Sequence, residues 1–158
     1  MKRIFSLLFL SVITVFAIGC SDDPASGGDP ASGGSMSAKV NGGAWSATNV
    51  QSTYQNGVFG IGGAQISGAE NKQINISGLV SGPGTYTLGL ISPIVATYAE
   101  GTAANVKTFI CKSGTLKVDE LTSTSAKGSF SLEMQEQNSS GAGTETRSVT
   151  EGTFSVKF

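Results

Sequence analysis

The sequence predicts an all-β fold: a single antiparallel β-sandwich or barrel-like domain of about nine or ten short strands. Three observations carry this. Apolar residues alternate with polar ones, the period-two signature of a half-buried strand. Turn signals rich in Gly, Asn and Ser separate the alternating segments at short, even spacing. No window holds a convincing helical period, residues 96–106 coming nearest. Many short strands at even spacing favour a sandwich or a barrel, because both bury one face of each strand and manage the edges.

The elements follow in chain order. Met36, Ala38 and Val40 alternate with Ser37 and Lys39, and Asn41-Gly42-Gly43 turns the chain. Residues 45–53 and 58–64 read as the next two strands, joined by Asn56-Gly57. The Gly-rich stretch 57–63 holds neither a dinucleotide fingerprint nor a P-loop and is expected to allow a bulge or a close strand crossing. Ile74 and Ile76 mark a strand, then Ser81-Gly82-Pro83-Gly84 turns into Tyr86, Leu88 and Leu90. Residues 95–98 form a short strand. A strand through Cys111 is expected to end at a Ser113-Gly114 turn, before a separate strand with Leu116 and Val118. Phe130, Leu132 and Met134 make a longer strand, Asn138-Ser139-Ser140-Gly141 a turn, and Phe154, Val156 and Phe158 close the chain. The closing strand, residues 148–158, is expected to pair with an early one.

Composition narrows the chemistry. The 158 residues suffice for one domain, the 22 Gly are about twice the usual share, and charged residues are only 13% against about a quarter. There is no His, so His-based acid–base catalysis, a triad with His and a His-ligated zinc are excluded. Net charge is −1 with no basic run, which argues against a nucleic-acid partner.

The chain begins with a basic head, Met1-Lys2-Arg3, and an apolar run from Ile4 to Ile18 that is too short for a transmembrane helix of about 20 residues. This is the layout of a secretory signal peptide. The run ends Ala17-Ile18-Gly19-Cys20, which resembles a bacterial lipobox, although Ala17 stands where Leu is most usual. The resemblance implies cleavage before Cys20 and lipidation of its thiol and amine. Several acyl chains on one residue hold a membrane firmly where one chain would not. Residues 1–19 are thus read as signal peptide, 20–35 as tether and 36–158 as the β domain. The mature chain keeps 8 basic and 11 acidic side chains, a net −3. Its two cysteines are Cys20, consumed by lipid, and Cys111, so no intramolecular disulfide is available. Cys111 reads as a small buried hydrophobe on a strand.

Ser21-Asp22-Asp23 resembles the acidic export signal that sends lipoproteins of Bacteroidota to the outside of the outer membrane. A tandem repeat follows, Asp23-Pro24-Ala25-Ser26-Gly27-Gly28 and Asp29-Pro30-Ala31-Ser32-Gly33-Gly34. It has nothing to bury and is expected to be a disordered linker.

The domain itself resembles an uncharacterised family of small Bacteroidota lipoproteins. The opening Ala38-Lys39-Val40-Asn41-Gly42-Gly43-Ala44-Trp45, the middle Gly84-Thr85-Tyr86-Thr87-Leu88 and Ser113-Gly114-Thr115-Leu116-Lys117-Val118 carry the likeness. So do Ala126-Lys127-Gly128-Ser129-Phe130-Ser131 and Thr150-Glu151-Gly152-Thr153-Phe154-Ser155-Val156. These are strand and turn patterns, so their order carries the likeness. It implies a fold class and a location, and supplies no activity.

Catalytic and metal chemistry find little footing. Asp119-Glu120, with Glu133 or Glu136, could offer oxygens to calcium, but without a known spacing they read as solvated strand-end charges. Glu133 and Glu136 have opposite parity on a strand, which does not suit the paired carboxylates of a glycosidase. No metal, no cofactor and no enzymatic activity are expected; a hydrolase using carboxylates alone is the least favoured reading. Trp45 and Tyr86 read as core. Tyr54 and Tyr98 sit beside polar turn residues and are the candidate exposed rings for a glycan or small ligand. The leading expectation is a non-enzymatic, lipid-anchored β domain at the outer membrane and cell surface, an interaction or envelope module whose glycan or protein ligand is open; a glycan- or small-ligand-binding accessory lipoprotein is the alternative function, and facing the periplasm the alternative placement.

Overall fold

In the computed structural model, residues 31–138 and 141–158 are described. The signal peptide, the lipobox with Cys20, Ser21-Asp22-Asp23, the first repeat copy and Ser139-Ser140 lie outside the described residues. The rest forms strands: β1 (Ala31–Ser32), β2 (Gly34–Val40), β3 (Gly43–Ser46), β4 (Asn49–Gln55), β5 (Val58–Ser67), β6 (Glu70–Leu79), β7 (Gly84–Gly89), β8 (Ile94–Thr102), β9 (Asn105–Leu121), β10 (Ser125–Asn138) and β11 (Gly141–Lys157).

All the strands belong to one antiparallel sheet in the order β1-β4-β5-β6-β8-β9-β10-β11-β2-β3, with β7 added beside β9. From β4 to β11 the chain is largely a meander of hairpins. Strand β11 then pairs with the early strand β2, Val149 facing Val40 and Phe154 facing Met36, as expected for residues 148–158. The sheet is not a closed ladder, yet its two ends approach. Only Gly33 separates β1 from β2; its N–H reaches Val50 O on β4 at 3.3 Å, and its carbonyl accepts from Lys157 N on β11 at 3.5 Å. The Ser52 hydroxyl on β4 also donates to the Lys157 carbonyl. The result is a barrel-like wrap.

Several sequence expectations need correction. The strand number agrees with the expectation, eleven among the described residues with β1 only two residues long, but β9, β10 and β11 run 17, 14 and 17 residues, so the late strands are not short. Ser113-Gly114 is no turn. Gly114 lies mid-strand between Leu88 on β7 and Leu132 on β10, where a Cβ would meet the Ser131 carbonyl at 2.5 Å. The glycine is there for close strand approach. The 45–53 segment divides into β3 and β4 around Ala47-Thr48, whose N–H groups bond Met36 O and Ala64 O. The 57–63 stretch holds no bulge, since β5 pairs both neighbours without a register shift. A Cβ at Gly63 would instead meet the Trp45 ring at 2.8 Å, so this position makes room for the indole. The tether boundary also moves: Ala31–Ser32 and Gly34–Ser35 already lie in strands. The expected turns at Asn41-Gly42 and Asn56-Gly57 are present, with positive φ at all four residues, as the tightest hairpin connections require.

Side chains fill the interior. At the end where Gly33 sits, Phe59, Phe154, Phe158 and Tyr54 pack ring on ring, with centroids 5.6–6.2 Å apart. Leu88, Leu116, Phe130 and Leu132 continue the core, and Trp45, Tyr98 and Phe109 occupy the other end. Strand β2 spans the wall between these ends, from Gly34 beside Val156 to Val40 beside Val149.

Candidate functional site

The end away from the N-terminal strand carries the most organised polar chemistry. Here β8, β9 and β11 each bring a charged side chain to the rim, on the faces that point inward deeper in the barrel. Tyr98 on β8 pairs in register with Ile74 and Phe109, and its parity continues to Glu100. Arg147 on β11 places its guanidinium 4.7 Å from the Phe109 ring centroid, a cation–π contact. Both its Nε (2.9 Å) and its Nη2 (2.6 Å) donate to Glu100 Oε1, and Nη2 also reaches Glu145 Oε2 at 2.9 Å. Lys107 on β9 donates to the other Glu145 oxygen, and the Tyr98 hydroxyl donates to Glu100 Oε2 at 2.7 Å.

The electrostatics follow from this geometry. Burial opposes the charge on Glu100, but hydrogen bonds from Arg147 and Tyr98 outweigh it and hold the carboxyl below its ordinary range. Hydrogen bonds from Lys107 and then Arg147 lower Glu145 as well. Burial, reinforced by the Glu100 carboxylate, pushes the Tyr98 phenol far up. Glu145 and Glu100 raise Lys107 and Arg147 respectively through hydrogen bonds. Each shift moves its group further from neutrality, whereas a general acid or base works best with a pKa near the working pH.

A cleft of about 330 Å³ opens beside this network, lined by Glu70, Lys72, Glu100, Gly101, Asn105 and Lys107. Lys72 and Glu100 also border a smaller recess of about 120 Å³, which reaches Trp45, Tyr98 and Arg147. Trp45 closes its floor, with its indole N–H donating to Lys72 O at 3.2 Å. The mouth therefore presents both signs of charge over an aromatic floor.

The candidate exposed tyrosines are not a platform. Tyr98 is fully buried, because its parity with Ile94 and Ala96 turns it inward, and its hydroxyl is satisfied by Glu100. Tyr54 is half-buried against Phe158 at the opposite end, its hydroxyl donating to Val80 O at 3.4 Å. Trp45 belongs to the core as expected, and Tyr86 packs against it while its hydroxyl donates to Gly82 O at 2.6 Å. Asp119 and Glu120 pair with Lys117 and Lys127 at exposed strand positions. Among the described residues no group of three or more Asp, Glu, Cys or His converges to hold a metal. Cys111 is buried on β9; burial pushes its thiol up to about 11, which keeps it protonated.

Sequence reasoning missed the network itself. None of Glu100, Glu145 and Arg147 lies in a motif that the sequence singles out. One signal was available: Arg147 is the only arginine after Arg3.

Fold and site together define an all-β, barrel-like domain with a packed interior and one ionic mouth. The chain belongs to a family described as a domain of unknown function, DUF6252, whose model matches residues 33–156. No curated protein and no solved structure matches it.

Proposed function

We propose that this protein is a non-enzymatic, lipid-anchored β domain of the Bacteroidota type, held to the outer membrane through Cys20 and exposed at the cell surface as an interaction module. The observation that carries the contact role is the packed interior. One continuous cluster of buried side chains occupies the core, which favours recognition at the surface, where the ionic mouth is the best-organised part. The anchoring half rests on sequence: the basic head, the apolar run, Ala17-Ile18-Gly19-Cys20 and the acidic Ser21-Asp22-Asp23. Geometry is compatible with it, because the described chain enters the sheet at the end opposite the mouth. A tether there leaves the mouth pointing away from the bilayer.

Membrane fractionation of wild type and Cys20→Ala tests the reading, with mass spectrometry of the mature N-terminus. The expected result is an acylated Cys20 in the membrane fraction and a soluble, folded Cys20→Ala protein. A Cys20→Ala variant that still partitions with membranes overturns it.

A further inference from the structure

Seven large apolar side chains are exposed among the described residues, and five of them gather in one region. Val58 on β5 faces Leu79 on β6 in register, and Val95 on β8 faces Ser77, one diagonal step from Leu79. Ile94 pairs with Gly78, which brings the loop between β7 and β8 alongside Leu79. That loop carries Leu90, 66% exposed, and Ile91, fully exposed at its tip. Its shape is fixed. Ser92 N bonds Gly89 O, the Ser92 hydroxyl donates to Thr87 O at 2.8 Å, and Ile94 N bonds the Ser92 hydroxyl at 3.1 Å. Two aliphatic side chains are thus held out in water by a built turn. The register neighbours of the patch, Gln55, Gly60 and Ser77, are uncharged. A cation flanks it: exposed Lys112 immediately precedes Ser113, the partner of Gly89. A contiguous exposed apolar surface marks a protein or membrane contact.

The path of the chain favours the membrane. Ala31 pairs with Ser52 on β4, and the antiparallel ladder sets the N-terminal end of β1 on the side of Gln55, the partner of Val58. The described chain therefore begins at the end of the sheet that carries the patch. Eleven residue steps separate Ala31 from Cys20, a reach of at most about 40 Å even when fully extended. Acyl chains on Cys20 would keep this end of the domain close to the bilayer surface, with Lys112 placed to extend toward headgroup phosphates.

We propose that Val58, Leu79, Leu90, Ile91 and Val95 form a lipid-contacting patch through which the anchored domain rests on the bilayer, with the Leu90-Ile91 tip entering it. This inference depends on the acylation of Cys20 proposed above. The test uses the acylated mature protein in phosphatidylethanolamine–phosphatidylglycerol vesicles, carrying an environment-sensitive fluorophore through Ile91→Cys or, at the mouth, Asn105→Cys. The inference predicts a blue-shifted label at 91 that is quenched by nitroxide lipids, and a water-exposed, unquenched label at 105. A Leu90→Ser/Ile91→Ser variant, altered only at exposed positions, should lose most of the quenching of a label placed at Leu79→Cys. Equal, water-exposed signals at 91 and 105 on protein shown to be acylated overturn the patch while leaving the anchor standing. So does photo-crosslinking from position 91 in cells that captures a protein rather than lipid. Absence of acyl groups on Cys20 overturns the anchor, and this inference with it.

Discussion

The two ends of the barrel are built from the same strands and closed by different physics. At the end where Gly33 sits, Phe59, Phe154, Phe158 and Tyr54 interlock, and the exposed surface nearby is aliphatic. At the mouth, Arg147 lies over Phe109 and is gripped by Glu100 and Glu145, while Lys107 and Tyr98 complete the set. Ring packing is indifferent to pH and derives its stability from area removed from water. A partly buried ionic network gives geometric definition, but each member depends on the others remaining charged. Under the anchoring proposed above, the difference amounts to a division of labour, with one end suited to apolar surroundings and the other to water and polar partners.

The largest expected effect sharpens the first half of that contrast. Phe59→Ala empties the centre of the ring cluster and should lower stability by about 3–5 kcal/mol, equally at pH 7 and pH 4.5, in urea denaturation of the mature protein. Arg147→Ala leaves Glu100 and Glu145 without their shared cation. Removing one partner of a fully buried pair costs roughly 3–5 kcal/mol. Arg147 and Glu100 each keep about a fifth of their side-chain exposure, so about 2–3 kcal/mol is expected here.

Acid distinguishes the ends more finely. Glu100 and Glu145 have folded pKa values below their unfolded ones. Their contribution is therefore present above the ordinary Glu value of about 4.3 and is lost as pH falls through the lower folded values. Glu100→Gln should cost about 1–2 kcal/mol at pH 7. It should also flatten the decline of stability in acid, a change that a plot of stability against pH resolves. The smallest effect belongs to a pair outside both ends. Lys39 and Glu151 are mostly exposed, and Lys39→Ala should change stability by less than about 1 kcal/mol. A loss as large as that of Arg147→Ala would erase the distinction between a built network and surface charge.

Much of the wall was legible in the sequence, because alternation is local. The parities of Met36, Ala38 and Val40, of Ile74 and Ile76, and of Phe130, Leu132 and Met134 all read correctly, as did both Asn-Gly turns. What failed was non-local. Ser113-Gly114 has the composition of a turn, and only the strands on either side reveal a glycine chosen for close approach. Val95 and Ala96 are both apolar, so the face on which Tyr98 lies is ambiguous until β8 is set against Ile74 and Phe109. Glu100 and Arg147 are 47 positions apart, and nothing local pairs them. The mouth is a product of register.

We propose a domain anchored by one end with its mouth presented outward at the cell surface. Proteinase K digestion of intact cells producing the tagged protein, with lysed cells as control, tests this most directly. Cleavage of the domain from intact cells, including release by cutting between Ser21 and Pro30, is the predicted result. Protection until lysis would contradict surface exposure, reduce Ser21-Asp22-Asp23 to plain linker, and turn the mouth toward the periplasm.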